Sequence, residues 1–377
     1  MTTDFSLDFA RQLDQQDPLA HMREQFHLPA QKDGTPFIYM CGNSLGLMPK
    51  RVQQYMDKEL KDWANLGVEG HTEGDTPWLP YHEFLTESMA RIVGAKPSEV
   101  VVMNSLTANL HLMMVSFYRP TPQRRKILME YSPFPSDRYA LRSQIAFHGY
   151  DPDTDLIELM PAEGEEIVSL DHIKAVMAEH GEEIALVMLG GVNYYTGQVY
   201  PLREMTALGH QYGCTVGFDL AHGAGNIMPE LHDIGADFAV WCSYKYINSG
   251  PGSLSGAFVH ERHANNFDLP RFAGWWGHDK SSRFLMGPDF RPMPGAEGWQ
   301  LSNPPILSMA ATRPSMSMFD EVSMPALREK SIKLTSYTAD LINNIESDRI
   351  RIITPSEVDQ RGCQLSIQVQ GAEKALF

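Results

Sequence analysis

Phe238-Ala239-Val240-Trp241 runs into Cys242-Ser243-Tyr244-Lys245-Tyr246, and Thr215-Val216-Gly217-Phe218 runs into Asp219-Leu220-Ala221-His222. Each leading run is short and apolar, the pattern of a buried strand. Each strand hands over a polar group at its carboxyl end: Asp219 from the first in sequence, Lys245 from the second. Buried strands separated by helices make a mostly parallel sheet with helices on both faces. In such sheets ligands bind outside the carboxyl ends of the strands. The fold class is therefore α/β, and the site is expected where Asp219 and Lys245 emerge.

The same alternation extends outward. Apolar runs predict strands at 100–103, 127–129, 184–189 and 255–260, and helical spacing predicts helices at 107–118, 136–148 and 202–212. Upstream, one helix is expected over 8–26. The turn-rich Cys41-Gly42-Asn43-Ser44-Leu45-Gly46 follows, readable as a plain connector. Downstream, residues 271–305 are rich in Gly, Pro and aromatics; a helix at 326–345 and strands at 350–353 and 364–369 come next. One helix and two strands make a poor independent layer. The expected organisation is an arm and connector over 1–50, a large cofactor-binding domain over 51–275, and a linker with a small α+β C-terminal domain, cut short, over 276–377.

Composition narrows the class of protein. Hydrophobic residues make up 43% and charged residues 21% of the 377, the mix of a soluble globular chain. The net charge of -16 argues against nucleic acid or an anionic membrane as partner, because both select basic surface. None of the four cysteines sits at a CxxC spacing, so no metal site and no disulfide framework is expected. No run reaches the roughly 18 apolar residues of a membrane span, and the N-terminus has no signal-peptide core. A cytoplasmic enzyme is the expectation.

An acid and a lysine at neighbouring strand ends suit pyridoxal 5'-phosphate. The lysine forms a Schiff base with the cofactor aldehyde, and the acid keeps the pyridine nitrogen protonated so that the ring accepts electrons. Lys245 and Asp219 take these parts. His222 can bond the cofactor or orient Asp219. Leu106 and Thr107 open a helix after a strand, where backbone N–H groups and the helix dipole favour a phosphate; Thr107 also reads as an ordinary N-cap. In Phe134-Pro135-Ser136-Asp137 the aromatic can stack on the pyridine ring, and Asp137 can reach the cofactor or cap its helix. Competing signals fail. His260-Glu261-Arg262-His263 is one residue short of a zinc HExxH, and Gly250-Pro251-Gly252 is not GxGxxG. Cys363 is expected to lack a basic partner that would make it a nucleophile.

Taken together these segments resemble the kynureninases, fold-type I pyridoxal phosphate enzymes. The resemblance runs through Cys41-Gly42-Asn43-Ser44-Leu45-Gly46, Trp78, Asn104-Ser105-Leu106-Thr107, Phe134-Pro135-Ser136-Asp137 and Tyr194-Tyr195-Thr196-Gly197-Gln198. It continues through the Asp219 and Lys245 segments, Gly274-Trp275-Trp276-Gly277-His278 and Ser302-Asn303-Pro304-Pro305. It implies hydrolysis of L-kynurenine to anthranilate and L-alanine, with 3-hydroxykynurenine as a further substrate, in tryptophan catabolism toward NAD biosynthesis. It also implies a homodimer with a shared active site. Carried over by motif, Leu106 and Thr107 hold the phosphate, Phe134 stacks on the ring, Asp219 takes the pyridine nitrogen, and Pro135, Ser136 and Asp137 count as further cofactor-binding positions. His222 and Tyr244 complete the shell, with Trp275 and Asn303 as further cofactor contacts across the subunit interface. Ser44, His71 and Trp276 match positions that shape the substrate pocket. Lys245 and Tyr244 are the catalytic pair: the lysine moves the Cα proton, and the tyrosine supplies a proton at Cβ.

Two departures stand out. Gly190 occupies a position where many relatives of this family carry a hydroxyl, so that contact is lost or made by backbone. The resemblance places the family's substrate-carboxylate arginine past Phe377, and Arg349, Arg351 and Arg361 do not sit in its motif; this form is expected to bind cofactor but to be weak or inactive on kynurenine. The rival readings are a cysteine desulfurase or other class V aminotransferase-like enzyme, and an inactive chain that keeps the cofactor.

Overall fold

A computed structural model of the chain describes residues 4–371. Seven strands form its centre: β1 (Val100–Met103), β2 (Lys126–Glu130), β3 (Leu156–Leu159), β4 (Ile184–Gly190), β5 (Thr215–Asp219), β6 (Phe238–Cys242) and β7 (Ser255–Val259). They lie in the order β1-β7-β6-β5-β4-β2-β3. The pairings β3/β2, β2/β4, β4/β5 and β5/β6 are parallel, and β7 is antiparallel to both of its neighbours. No crossover helix separates β6 from β7, so the chain turns straight back.

Alternation along each strand divides the core between the two faces. Val100, Val102, Leu128, Val216, Phe218 and Trp241 pack on one face with helices Glu83–Val93, Leu202–Gln211 and Ile306–Val322. Val101, Met103, Ile127, Met129, Phe238 and Val240 pack on the other with helices Leu106–Phe117 and Pro135–Phe147. β5 and β6 are buried along nearly their whole length, which is why their sequences read as unbroken apolar runs. A helix, Met324–Asn343, and an antiparallel pair, β8 (Ile350–Ile352) with β9 (Ile367–Val369), follow the sheet. Thr354 Oγ1 ties this unit to the body by donating to Thr196 O at 2.7 Å.

Several expectations change. The helix expected over 8–26 is split into Leu7–Gln16 and a 3-10 turn, Ala20–Gln25. Pro18 brings no N–H to continue it, and the Asp17 carboxylate takes the Leu19 N–H at 2.9 Å instead. β3 was not anticipated, because as an edge strand it is only half-buried and mixes Glu158 into its apolar run. Helix Ile306–Val322 was not anticipated either; Pro314 interrupts its pattern. The last strand spans only Ile367–Val369 of the expected 364–369. Among the described residues no helix is long and apolar enough to cross a membrane.

Candidate active site

Asp219 ends β5, and Lys245 follows the end of β6. The parallel pairing of these strands brings both residues to one edge of the sheet. Lys245 Nζ lies 2.9 Å from His222 Nε2. On the far side of the same ring, His222 Nδ1 lies 3.1 Å from the Tyr246 hydroxyl. Burial, and then the charge of Lys245, push the His222 pKa down to about 3, so the imidazole is neutral near pH 7. A neutral ring has one acceptor and one donor. Nε2 accepts from the Lys245 ammonium, which leaves Nδ1–H to donate to Tyr246. The lysine is thereby aimed by a histidine held in one tautomer.

Asp219 is only 4% exposed. Its Oδ1 accepts the Ala221 N–H at 2.7 Å, while Oδ2 is buried with no N–H or alcohol donor, and the Asp137 carboxyl is the one other group among the described residues that bonds this carboxylate. A buried carboxylate oxygen without a donor is costly. Burial pushes the Asp219 pKa up to about 6, against the lowering by Ala221 N–H and Lys245. A protonated ring nitrogen meeting Oδ2 would make the missing charge-assisted bond. Asp137, in the first turn of helix Pro135–Phe147, lies against Asp219. Desolvation, then the charges of Asp219 and Glu130, raise its carboxyl well above the usual range. The residues present therefore fit pyridoxal phosphate at its pyridine end.

The phosphate end fits too. Helix Leu106–Phe117 begins with Ser105 as N-cap and no acidic residue in its first turn. Thr107 Oγ1 lies 3.0 Å from Ser136 Oγ, so the starts of two helices and two hydroxyls meet there. Pro135 takes the first helical position, where its missing N–H costs nothing. Phe134, half-exposed beside it, has Lys245 Nζ 5.8 Å from its ring centre and Tyr194 edge-on at 5.5 Å. Tyr244 keeps its proton: burial, and then the charges of Cys242, Asp219 and Asp137, raise the phenol.

The Cys41-to-Gly46 segment is more than a connector. Gly46 N–H donates to Tyr244 O at 2.8 Å, and a Cβ at Gly46 would collide with Lys245 O and Asn248 Oδ1. Only glycine lets this loop lie so close to the lysine turn. Ser44 rides exposed on the same loop.

The other expected residues lie outside the Lys245 network within one chain. His71 packs edge-on against Trp78 at 5.3 Å, with a buried, unpartnered Nδ1. Trp276 is 1% exposed, with the Arg283 guanidinium 4.2 Å from its ring centre. Trp275 donates to Arg283 O at 3.3 Å and packs on Trp276 and Phe284. Asn303 is exposed. Arg349, Arg351 and Arg361 are each spent on neighbours: Gln370 O, the Glu166 and Gln368 side chains, and the Pro355 and Ser356 carbonyls.

One site residue was missed. Glu130, the last residue of β2, is 5% exposed, and its Oε2 accepts the N–H of Gly190. The departure at Gly190 is thus explained: its N–H serves Glu130, whose carboxyl fills the space a side chain at 190 would need. The available signal was a carboxylate closing an apolar run, at the same sheet edge as Asp219.

The model of the aminotransferase class-V family matches residues 38–377. The chain is 58% identical over 381 residues to a kynureninase of Myxococcus xanthus, covering 100% of this chain and 89% of that one. It is 56% identical to a kynureninase of Koribacter versatilis, covering 99% and 88%. A third, from Flavobacterium johnsoniae, is 52% identical over 100% and 89%. Among solved structures, a cysteine desulfurase of Escherichia coli superposes with a TM-score of 0.72 at 15% identity, covering 93% of this chain and 82% of that one. The apo cysteine desulfurase of Thermococcus onnurineus gives 0.68 at 17%, covering 98% and 84%. At such identity these two speak to the fold alone.

Proposed function

The chain belongs to the kynureninase family of the class-V aminotransferases, and from that premise we propose how its residues divide the work. It is a pyridoxal-phosphate-dependent enzyme of fold-type I that cleaves L-kynurenine to anthranilate and L-alanine. The desulfurase reading is not favoured, because the relatives matching the whole chain at 52–58% identity are kynureninases.

When bound, pyridoxal phosphate supplies an electron sink conjugated to the substrate's Cα. Lys245 anchors it. The backbone N–H groups at Leu106 and Thr107, with the Thr107 and Ser136 hydroxyls, would hold the phosphate, and Phe134 would cover the ring. Asp219, with Asp137 behind it, keeps a proton on the pyridine nitrogen. Lys245, its amine directed by His222, would take the Cα proton of the substrate. Water supplies the oxygen that becomes part of the anthranilate carboxylate as Cβ–Cγ breaks. Tyr244 delivers a proton to Cβ, which leaves as the alanine methyl group. Its raised pKa suits a donor that must stay protonated until that moment.

The observation that carries this reading is Lys245 Nζ 2.9 Å from a neutral His222, beside a buried Asp219 oxygen with no N–H donor. Adding pyridoxal phosphate to the apoprotein should give a visible absorbance band that borohydride abolishes, and Lys245→Ala should not form it. An identical band in Lys245→Ala would overturn the assignment.

A homodimer with a shared site is the second part of the proposal. Ile38 at 87% and Met40 at 78% exposure flank the loop that docks on Tyr244, an apolar surface that needs a partner. Trp275, Asn303, His71 and Ser44 would reach cofactor and substrate across that interface. Four free cysteines fit a reducing, cytoplasmic setting, with the reaction in tryptophan catabolism toward NAD biosynthesis. Sedimentation of the holoenzyme at twice the monomer mass checks the first of these.

A further inference from the structure

Glu130 has no part in the division of work above, yet the site is built around it. It ends β2, one strand beyond β4, and Gly190 ends β4 opposite Asp219 in the β4/β5 register. Glu130 Oε2 takes the Gly190 N–H, while the next N–H, of Gly191, goes to Asp219 O at 2.9 Å. A Cβ at Gly190 would collide with both Glu130 carboxyl oxygens. The carboxyl is thus seated in side-chain space that its neighbour strand leaves open.

The groups around it give that carboxyl no counter-charge. From β4 it receives one N–H. From β5 it faces Asp219, from helix Pro135–Phe147 it faces Asp137, and the buried phenol of Tyr200 lies near. β3 offers only Leu159 as its register partner. Among the described residues no lysine, arginine or histidine pairs with it, and Lys245 acts on Asp137 and Asp219 instead. Desolvation, opposed by the Gly190 N–H and aided by Asp219, pushes the Glu130 pKa up to about 8.

We propose that Glu130 is a positioning residue of this site: seated in the space of Gly190, it holds the Asp219–Asp137 pair in place and shares protons with it beneath the pyridine nitrogen. The inference rests on Asp219 receiving that nitrogen. The chemistry balances as proton transfer alone. Below its pKa Glu130 is neutral. Once it ionises, its negative charge adds to that of Asp219 and would favour binding of the protonated ring nitrogen.

The test is the dissociation constant of pyridoxal phosphate for wild type and Glu130→Gln from about pH 6 to about pH 9, in which glutamine keeps an acceptor for Gly190 N–H but cannot ionise. The variant should match wild type at the acid end and bind roughly tenfold more weakly at the alkaline end. A ratio that stays flat across the range would overturn the proton-sharing role. A second pair tests the seat. Gly190→Ala should weaken cofactor binding, and adding Glu130→Ala should recover part of it; losses that simply add would overturn the coupling. Asp219→Asn separates the two levels. If it leaves affinity unchanged, the reading of the pyridine pocket fails; if it weakens binding while the Glu130→Gln ratio is flat, only the role of Glu130 fails.

Discussion

Lys245 Nζ and His222 Nε2 are 2.9 Å apart, and this amine has no other hydrogen-bond partner among the described residues. The histidine in turn leans on Tyr246, so the direction of the amine is set by a relay across one ring. Replacing His222 by Leu removes a bond to a charged group, worth about 1.5–3 kcal/mol. Cofactor affinity and the rate of Cα proton exchange should both fall, by roughly ten- to a hundredfold. Loss of solvent deuterium exchange into substrate checks it, and an unchanged rate would remove His222 from this role.

Gly46 couples the N-terminal loop to the lysine turn. Gly46→Ala forces a Cβ onto Lys245 O and Asn248 Oδ1, an overpacking cost of about 1–3 kcal/mol. The variant should melt lower and bind pyridoxal phosphate more weakly, while Gly42→Ala, with open space around it, should do neither. Melting curves with and without cofactor distinguish them.

Much of this site was legible because it sits at strand ends. Asp219, His222 and Lys245 follow apolar runs, so their place at one sheet edge could be inferred before any contact was known. Glu130 ends such a run too, but its importance depends on Gly190, and a glycine gives no sign of whose carboxyl it makes room for. The docking of Gly46 was hidden for a related reason: its two partners are a backbone carbonyl and a side chain about two hundred residues away. Trp276 shows the converse. Its motif was plain, but burial under Arg283 arises from a loop whose conformation no periodicity encodes. Parts of the fold were lost where the pattern was weak, among them edge strand β3 and the helix interrupted by Pro314.

Tyr244→Phe should still bind pyridoxal phosphate, because the phenol is not what anchors it. Anthranilate formation in a single turnover should slow by about 10²–10⁴, the span of one general acid. Unchanged single-turnover kinetics would exclude Tyr244 as the proton donor.

The buried carboxyls predict how the apoprotein responds to pH. Asp219 is raised to about 6 from 3.8, and Glu130 to about 8 from 4.5, each mainly by burial. A group whose folded pKa is raised contributes stability below its unfolded value and loses it as pH rises through the folded value. Their contributions should therefore decline across the interval from about pH 4 to about pH 8. Glu297 works oppositely. His82 and Lys280 overcome its desolvation and hold it at about 2, so its contribution is lost only as pH falls from 4.5 toward that value. Apoprotein melting temperatures should fall less steeply with pH in Glu130→Gln than in wild type. Equal slopes would contradict the assignment.

The most direct test of the central claim is anthranilate fluorescence after L-kynurenine is added to the cofactor-saturated protein, with L-alanine measured in the same sample. Wild type should release the two products in equal amounts, and Lys245→Ala, equally loaded with pyridoxal phosphate, should release none above background. No anthranilate from wild type, or the same yield from Lys245→Ala, would contradict the account.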